Sequence, residues 1–115
     1  MPQTPTDLAV FEANATEVAG ILRALANERR LMILCKLVEW GEAKVGTLAE
    51  AVGLSSSALS QHLAKMREEG IVAYRRESQT LWYRVADPRT EDLLGHLQRL
   101  YCPPEPVTRK KSAKV

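Results

Sequence analysis

The N-terminal third of the chain has apolar residues at the i, i+3, i+4, i+7 spacing that is typical of amphipathic helices. The first helix is expected to start near Asp7. Asn27 is a good N-cap for a second helix, and Gly41 is a good end for it. The two apolar stripes are Val18, Ile21, Leu22 and Leu25, then Leu31, Leu34, Cys35 and Val38. The second stripe predicts that Cys35 faces the interior or a subunit contact, not open solvent.

Two shorter helices joined by a glycine are predicted in the middle of the chain. The third helix runs from about Thr47 to Val52. Gly53 makes the turn, because glycine adopts positive φ without strain. Ser55 or Ser56 caps the fourth helix, which reaches about residue 69.

Strand-forming residues surround these helices. Residues 71–77 and 80–85 are rich in β-branched and aromatic side chains, and Ser78-Gln79 between them predicts a hairpin. Residues 43–45 form either a short strand or an extended link. After the hairpin, Asp87-Pro88 is typical of a helix start. The apolar stripe of this last helix is Leu93, Leu94, Leu97, Leu100 and Tyr101.

The third and fourth predicted helices meet the packing requirements of a helix-turn-helix unit. Such a unit needs a small residue where its helices approach, here Ala49, and a turn residue that tolerates positive φ, here Gly53. The apolar anchors around the turn are Leu48, Val52, Leu54, Leu59 and Leu63. Because a hairpin follows, we predict a mainly α fold with a small β-hairpin wing, a winged helix-turn-helix.

The fourth helix has a polar face opposite the stripe of Leu59, Leu63 and Met66, and this pattern predicts that the helix reads DNA. Short side chains there let the backbone approach a major groove, and Gln61 can pair bidentately with adenine. Cations near the hairpin tip reach phosphates or a minor groove. The predicted DNA contacts are Ser56, Ser57, Ser60, Gln61, His62, Lys65, Arg75, Arg76 and Gln79. The alternatives are an ordinary solvated face and edge-strand protection by the wing charges.

Composition limits the chain to one small domain. Its 115 residues are 45% apolar and 26% charged, and the net charge of +2 does not itself indicate nucleic-acid binding. The basic residues nevertheless cluster, as expected for a protein with one DNA face. We expect a disordered arm over residues 1–6, the winged domain over residues 7–102 and a basic flexible tail over residues 103–115.

Several classes of function and location are disfavoured. No apolar run approaches the roughly 20 residues of a membrane span, and no secretory signal begins the chain, so we expect a cytoplasmic protein without a membrane partner. In that reducing compartment the two cysteines are buried hydrophobes, metal ligands or redox-active thiols, not a permanent disulfide. Without a Gly-rich phosphate loop, a catalytic metal cluster or a Ser/His/Asp arrangement, neither an enzyme nor a cofactor is expected.

Two stretches resemble the ArsR/SmtB family of winged-helix repressors. They are Ala24-Leu25-Ala26-Asn27-Glu28-Arg29-Arg30-Leu31 and Ser57-Ala58-Leu59-Ser60-Gln61-His62-Leu63. The resemblance covers roughly residues 18–102. It implies a homodimer of α-α-α-α-β-β-α subunits, with the first and last helices building the dimer interface. It also implies that the dimer binds an imperfect inverted repeat in promoter DNA and releases it when an inducer is sensed.

The metal-sensing patterns of that family are absent from the sequence. The third helix reads Val45-Gly46-Thr47-Leu48-Ala49-Glu50 and has no cysteine. The last helix carries Asp92 and His96, but not the Asp-x-His spacing or a second histidine. Soft-metal sites need more thiolates or a thiolate-imidazole set, so we expect no high-affinity zinc or arsenic site of those types.

Within the family, the chain resembles the dithiol subgroup of the BigR/SqrR and HlyU type, which responds to persulfides and oxidants. The matching stretches are Ile33-Leu34-Cys35, Arg76-Glu77-Ser78-Gln79-Thr80 followed by Trp82-Tyr83, and Leu100-Tyr101-Cys102. The resemblance implies that Cys35 and Cys102 are the sensor thiols and that reactive sulfur species are the inducer. Taken alone, Cys35 fits a small core residue and Cys102 a helix end without a special role.

Three alternatives remain at this point. The chain is a repressor that senses another oxidant or a metal ion, or it is an anti-silencing regulator that displaces other DNA-binding proteins. The alternative of another class is a winged-helix interaction module that binds no DNA. That module explains the helices and the wing but leaves the serine-rich face of the fourth helix without a role.

Overall fold

The structure, a computed structural model, describes residues 7–102. Over that range it contains five α-helices and a three-stranded antiparallel sheet. In chain order the elements are α1 (Leu8–Leu25), α2 (Glu28–Trp40), β1 (Ala43–Lys44), α3 (Val45–Val52), α4 (Ser56–Glu68), β2 (Val72–Glu77), β3 (Thr80–Val85) and α5 (Pro88–Tyr101). The predicted winged helix-turn-helix is confirmed. The expectations of an N-terminal arm over residues 1–6 and a tail over residues 103–115 concern positions outside the described residues.

Short polar residues begin four of these helices by accepting hydrogen bonds from the first turn. The Asp7 carboxylate accepts from the Ala9 N–H at 3.0 Å, and the side-chain Oδ1 of Asn27 accepts from the Arg30 N–H at 3.0 Å. Asp87 does the same for α5, where Pro88 occupies the first turn and needs no acceptor for its nitrogen. The polar residues named in the sequence therefore fix where α1, α2 and α5 start.

Ser55, not Ser56, is the N-cap of α4. Its hydroxyl oxygen accepts a hydrogen bond from the Ala58 N–H at 3.0 Å, and its φ of −70° and ψ of 157° are extended. Ser56 is the first helical residue and is exposed. The two serines therefore have different roles: one stabilises the helix start, and the other is available to a partner.

We expect Ser55→Ala to lower the free energy of unfolding by about 1 kcal/mol, because the Ala58 N–H loses its acceptor. Ser56→Ala is the matched control, and its effect should stay within about 0.5 kcal/mol because it removes only an exposed hydroxyl. Urea unfolding followed by circular dichroism measures both variants. Equal destabilisation by the two changes would contradict the assignment of the cap.

The sheet is larger than the predicted hairpin. Its strand order is β1-β3-β2, and β1 pairs with β3 through Ala43 opposite Tyr83 and Lys44 opposite Trp82. The strand alternative for residues 43–45 is therefore the right one, although Val45 already belongs to α3. α3 begins two residues before the predicted Thr47. Its N-cap, Lys44, makes no side-chain capping bond, so no sequence pattern marks this start.

The core lies between α2, α3, α4, α5 and the inner face of the sheet. Its fully buried large side chains are Ile33, Leu34, Leu37, Leu48, Leu59, Leu63, Met66, Val72 and Leu94. By contrast, Leu25 is the one buried residue in the described span of α1, and Leu8, Phe11 and Leu22 on that helix stay exposed. At the end of α5, Leu100 and Tyr101 are also exposed, so the predicted stripe of that helix is only partly covered within one chain.

Candidate DNA-binding surface and thiol pair

The turn between α3 and α4 has the geometry that the sequence predicts. Gly53 is left-handed, with φ 72° and ψ 33°, and Ala49 is buried at 3% exposure. The Leu54 N–H donates to the Ala49 carbonyl at 3.0 Å and closes the turn. A side chain at position 53 would be strained in this conformation. The tight turn sets the direction in which α4 leaves α3.

α4 divides into an inner and an outer face as predicted. Leu59, Leu63 and Met66 are completely buried. The outer residues are exposed, namely Ser56, Ser57, Ser60, Gln61, Ala64 and Lys65. Apart from Lys65, the members of this face have short or uncharged side chains. A major groove admits an α-helix, and hydroxyl and amide groups on such a face are able to hydrogen-bond to base edges.

His62 lies at the border of that face and is half-buried. It shares a shallow surface depression with Asn27, Arg30 and Gln61. This half-burial fits a packed histidine, and a contact between His62 and phosphate stays a prediction. Over residues 7–102, no group of three or more His, Cys, Asp or Glu side chains is arranged to hold a metal ion.

The wing presents Arg76 and Gln79 to solvent beside its turn. Ser78 at the turn has φ 60°, a left-handed conformation that tight two-residue hairpin loops favour. Both Arg75 and Arg76 were predicted as DNA contacts. Neighbouring residues in a strand point to opposite faces, so the two side chains lie on opposite faces of the sheet. Arg76 lies opposite Leu81, and Arg75 lies opposite Trp82 on the outer face of the sheet.

Arg75 is held by an ion pair that sequence analysis missed. Its Nη2 and Nε donate to the two carboxylate oxygens of Glu42 at 2.7 and 3.1 Å. The hydrogen bond from Arg75 lowers the pKa of Glu42, and the same bond raises the pKa of Arg75. Thirty-three positions separate the two residues, and the pairing of both β1 and β2 with β3 brings them together. Arg75 therefore has an intrachain partner on the surface where a DNA contact is predicted.

Trp82 organises the cations on the outer face of the sheet. The Lys44 ammonium lies 5.7 Å from the ring centroid and the Arg75 guanidinium 5.5 Å from it, both within cation–π range. The indole Nε1 of Trp82 is buried and has no hydrogen-bond partner. Arg84 on β3 is exposed on this same face, opposite Ala73. Lys44 and Arg84 extend the basic surface beyond the residues named from sequence.

The two thiols lie on helices that contact each other. Cys35 is half-buried against the core on α2, and the Gln98 side chain of α5 donates to the Cys35 carbonyl oxygen at 3.0 Å. Cys102 is exposed at the C-cap of α5, and its N–H donates to the Gln98 carbonyl at 2.7 Å. Cys102 therefore lies one helical turn, about 6 Å along the axis, beyond the residue that contacts Cys35. Both cysteines are free thiols in this structure.

Arg30 connects the helix that carries Cys35 to the end of α4. Its side chain is only 12% exposed, and Nη1 donates to Glu69 Oε1 at 2.9 Å and to the Ala24 carbonyl at 3.2 Å. Glu69 is the C-cap residue of α4. In the sequence, Arg30 stands out only as part of the stretch that resembles the family. The structure adds a contact that ties α1, α2 and α4 at one point.

No helix in the described part of the chain combines the length and apolar character needed to cross a membrane.

Comparison with known proteins identifies the family. The family model described as "Bacterial regulatory protein, arsR family" matches residues 27–74, from the cap of α2 into β2. The "Transcriptional activator HlyU" of Vibrio cholerae is 44% identical over 98 residues, which cover 85% of this chain and 90% of that protein. The solved structure of reduced HlyU from the same species has a TM-score of 0.73 at 44% identity and covers 80% of this chain and 96% of that one.

The transcriptional repressor BigR from Xylella fastidiosa is also similar in structure. Its crystal structure has a TM-score of 0.75 at 37% identity, and the match covers 84% of this chain and 98% of that one. These proteins are described as transcriptional regulators. The span matched by the family model contains the helix-turn-helix. The chain belongs to the ArsR family of DNA-binding transcriptional regulators.

Proposed function

We propose that this chain is a homodimeric repressor that binds promoter DNA as a dithiol and releases it when Cys35 and Cys102 are joined through sulfur. The observation that carries this proposal is the hydrogen bond from Gln98 to the Cys35 carbonyl, which places the last turns of α5 on α2. An exposed thiol and a half-buried thiol thus lie on two packed helices. Similarity to HlyU and BigR supports transcriptional regulation, and the description of BigR as a repressor supports the proposed direction.

DNA contacts are assigned to two parts of the surface. Ser57, Ser60 and Gln61 of α4 face base edges, whereas Ser56, His62 and Lys65 lie toward the phosphates of the same groove. On the wing, Arg76 and Gln79 lie next to the turn and reach the neighbouring phosphates or minor groove. Arg75 contacts DNA together with Arg76 and Gln79 only when its ion pair with Glu42 is broken. Together, α4 and the wing of one subunit contact one half-site of the operator.

The homodimer is supported by the apolar surface that one chain leaves uncovered. Exposed Leu8, Phe11 and Leu22 on α1 and Leu100 and Tyr101 on α5 are costly in water and are typical of an interface. A twofold dimer would set two α4 helices about one DNA turn apart, which an inverted repeat matches. Sedimentation velocity at micromolar concentration should give the mass of two chains. The mass of one chain would contradict the dimer.

The proposed chemistry is a two-electron oxidation of the dithiol by a polysulfide. Exposure favours Cys102 as the first nucleophile: its thiolate attacks one sulfur, a sulfur–sulfur bond of the donor breaks, and a thiolate or persulfide anion leaves. The Cys35 thiolate then attacks the mixed species, forms the bridge and expels a second anion. Two thiolates are oxidised and the polysulfide is reduced to two anionic fragments. Each sulfur retained from the donor lengthens the bridge by one atom.

A bridge between α2 and α5 affects DNA binding through rigid elements. α2 carries both Cys35 and Arg30, and Arg30 contacts Glu69 at the end of α4. A displacement of α2 relative to α5 therefore also moves α4, the helix proposed to contact base edges. Because the two half-sites must stay about one turn apart, a small rotation lowers the affinity of the whole dimer.

The direction of regulation has a second candidate. HlyU of Vibrio cholerae is described as an activator, whereas BigR is described as a repressor. An anti-silencing regulator that displaces another protein would use the same DNA face and the same thiols. Transcription of the adjoining promoter in a purified system separates the two, because only a repressor lowers it without another protein present.

Treatment with sodium tetrasulfide is expected to weaken the binding of the reduced protein to a duplex from its own upstream region by about tenfold or more, within the usual range of allosteric coupling. Hydrogen peroxide, a disulfide donor and Zn²⁺ are tested in parallel by fluorescence anisotropy. Reduction with dithiothreitol should restore the initial affinity. Release by Zn²⁺ with no effect of tetrasulfide would instead indicate a metal-sensing regulator.

A further inference from the structure

We propose that Glu42 competes with DNA phosphate for Arg75 and thereby limits the affinity of the wing for DNA. The inference rests on the proposed contact between the wing and DNA. It assigns a role to a carboxylate that lies outside the helix-turn-helix and outside the thiol pair. Glu42 precedes β1, and Arg75 lies in β2, so the pair spans the whole sheet.

The geometry of the pair resembles the way arginine binds phosphate. Two donors of Arg75, Nε and Nη2, meet the two oxygens of Glu42 at 3.1 and 2.7 Å. A phosphate presents two oxygens to the same edge of a guanidinium. Arg75 cannot make both bidentate contacts with that edge at once. Any phosphate bound there must therefore displace Glu42.

The exchange is feasible because the pair lies at the surface. The side chains of Arg75 and Glu42 are 47% and 34% exposed. Water reaches both groups and screens their attraction, so even this bidentate pair is weaker than it would be in the interior. Phosphates on a DNA backbone, with their high density of charge, can therefore replace the carboxylate. The other acidic neighbour of Arg75, Glu77, lies 3.8 Å from Nη1 and makes a weaker ion pair than Glu42 does.

Trp82 keeps Arg75 in position while its partner changes. The guanidinium lies over the indole ring, and Arg75 and Trp82 are directly opposite each other in the sheet. Lys44 lies over the same ring from β1, so a second cation stays beside the site that Arg75 serves. By contrast, no ion pair engages Arg76 among the residues that the structure describes. The two wing arginines therefore differ: Arg76 binds without competition, and Arg75 is restrained.

A double-mutant cycle with Glu42→Gln and Arg75→Ala tests the competition. The probe is a duplex of about 30 base pairs, long enough for two half-sites, of arbitrary sequence, because phosphate contacts do not depend on the operator. Glu42→Gln keeps the shape of the side chain but removes its charge. In the wild-type background it should tighten binding about fivefold near physiological salt and steepen the salt slope by up to about 0.9, the value for one more phosphate contact. In the Arg75→Ala background, the same change should alter affinity by less than about twofold.

Glu77→Gln is the matched control, because it removes an equal charge nearer the wing tip but leaves the bidentate contact between Arg75 and Glu42 intact. If Glu42 acts only by general electrostatic repulsion of DNA, Glu77→Gln should raise the affinity for DNA at least as much as Glu42→Gln does. Glu42→Gln should then also have the same effect with and without Arg75. Either result would overturn the inference while leaving DNA binding intact. No change in affinity on removing Arg75 would also overturn it. If wild-type protein bound neither this duplex nor its upstream region, the proposed function itself would fail, whatever Glu42 does.

Discussion

Removing the two central polar side chains of α4, by Ser60→Ala together with Gln61→Ala, is expected to weaken binding to the operator about 100-fold. A good bidentate base contact contributes about 1–3 kcal/mol of discrimination, and a neighbouring hydroxyl adds to it. Both side chains are exposed and lie opposite the buried stripe, so alanine does not disturb the core. Alanine is also a better helix former than either residue it replaces. The loss should therefore come from the interface and not from unfolding.

The measurement compares the variant and the wild type on the operator and on a scrambled duplex of the same length. Binding to the scrambled duplex should change by less than about threefold, because phosphate contacts supply it. The melting temperature of the variant should not fall. An equal loss on both duplexes would show that this face contacts only the backbone. An unchanged affinity for the operator would remove α4 from the readout.

Serine in place of either cysteine is expected to abolish the response to polysulfide. Wild-type protein should lose operator affinity by about tenfold or more on treatment, a typical size for allosteric coupling. Cys35→Ser and Cys102→Ser should each bind like the reduced wild type before treatment and change by less than about twofold after it. The reason is that a bridge needs both sulfurs, whereas serine keeps nearly the same size at each position.

The two variants should differ in how they react. In Cys35→Ser, the exposed Cys102 still attacks the donor and accumulates as a persulfide or mixed species. In Cys102→Ser, the half-buried Cys35 should react more slowly, because the core covers part of it. The double variant is the control for effects at other side chains. A normal DNA response from the double variant would place the sensor elsewhere.

The fold follows closely from local sequence patterns. Asp7, Asn27 and Asp87 mark helix starts because short polar side chains satisfy the first free N–H groups. Gly53 marks the turn because its backbone is left-handed. The choice between Ser55 and Ser56 stayed open because both residues can cap a helix. The extended backbone of Ser55 and the hydrogen bond that its hydroxyl accepts from the Ala58 N–H distinguish them.

The parts that the sequence did not predict depend on contacts between distant segments. Residues 43–45 were expected as either a short strand or an extended link, and only the pairing with β3 decides for the two-residue strand β1. The Glu42–Arg75 pair follows from that pairing. The bond from Gln98 to Cys35 joins residues 63 positions apart, and the packing of α5 on α2 produces it. Helix periodicity placed Cys35 near a contact, but only the folded chain identifies the helix it meets.

The most direct test of the central claim is mass spectrometry of the protein released from operator DNA by sodium tetrasulfide. A peptide map of released and DNA-bound fractions gives the amount of Cys35–Cys102 linkage in each, including bridges lengthened by added sulfur. The proposal predicts that the fraction of linked chains rises in parallel with the fraction released, and that dithiothreitol reverses both. Release from DNA while both peptides remain unmodified, or complete linkage in protein still bound to the operator, would contradict it.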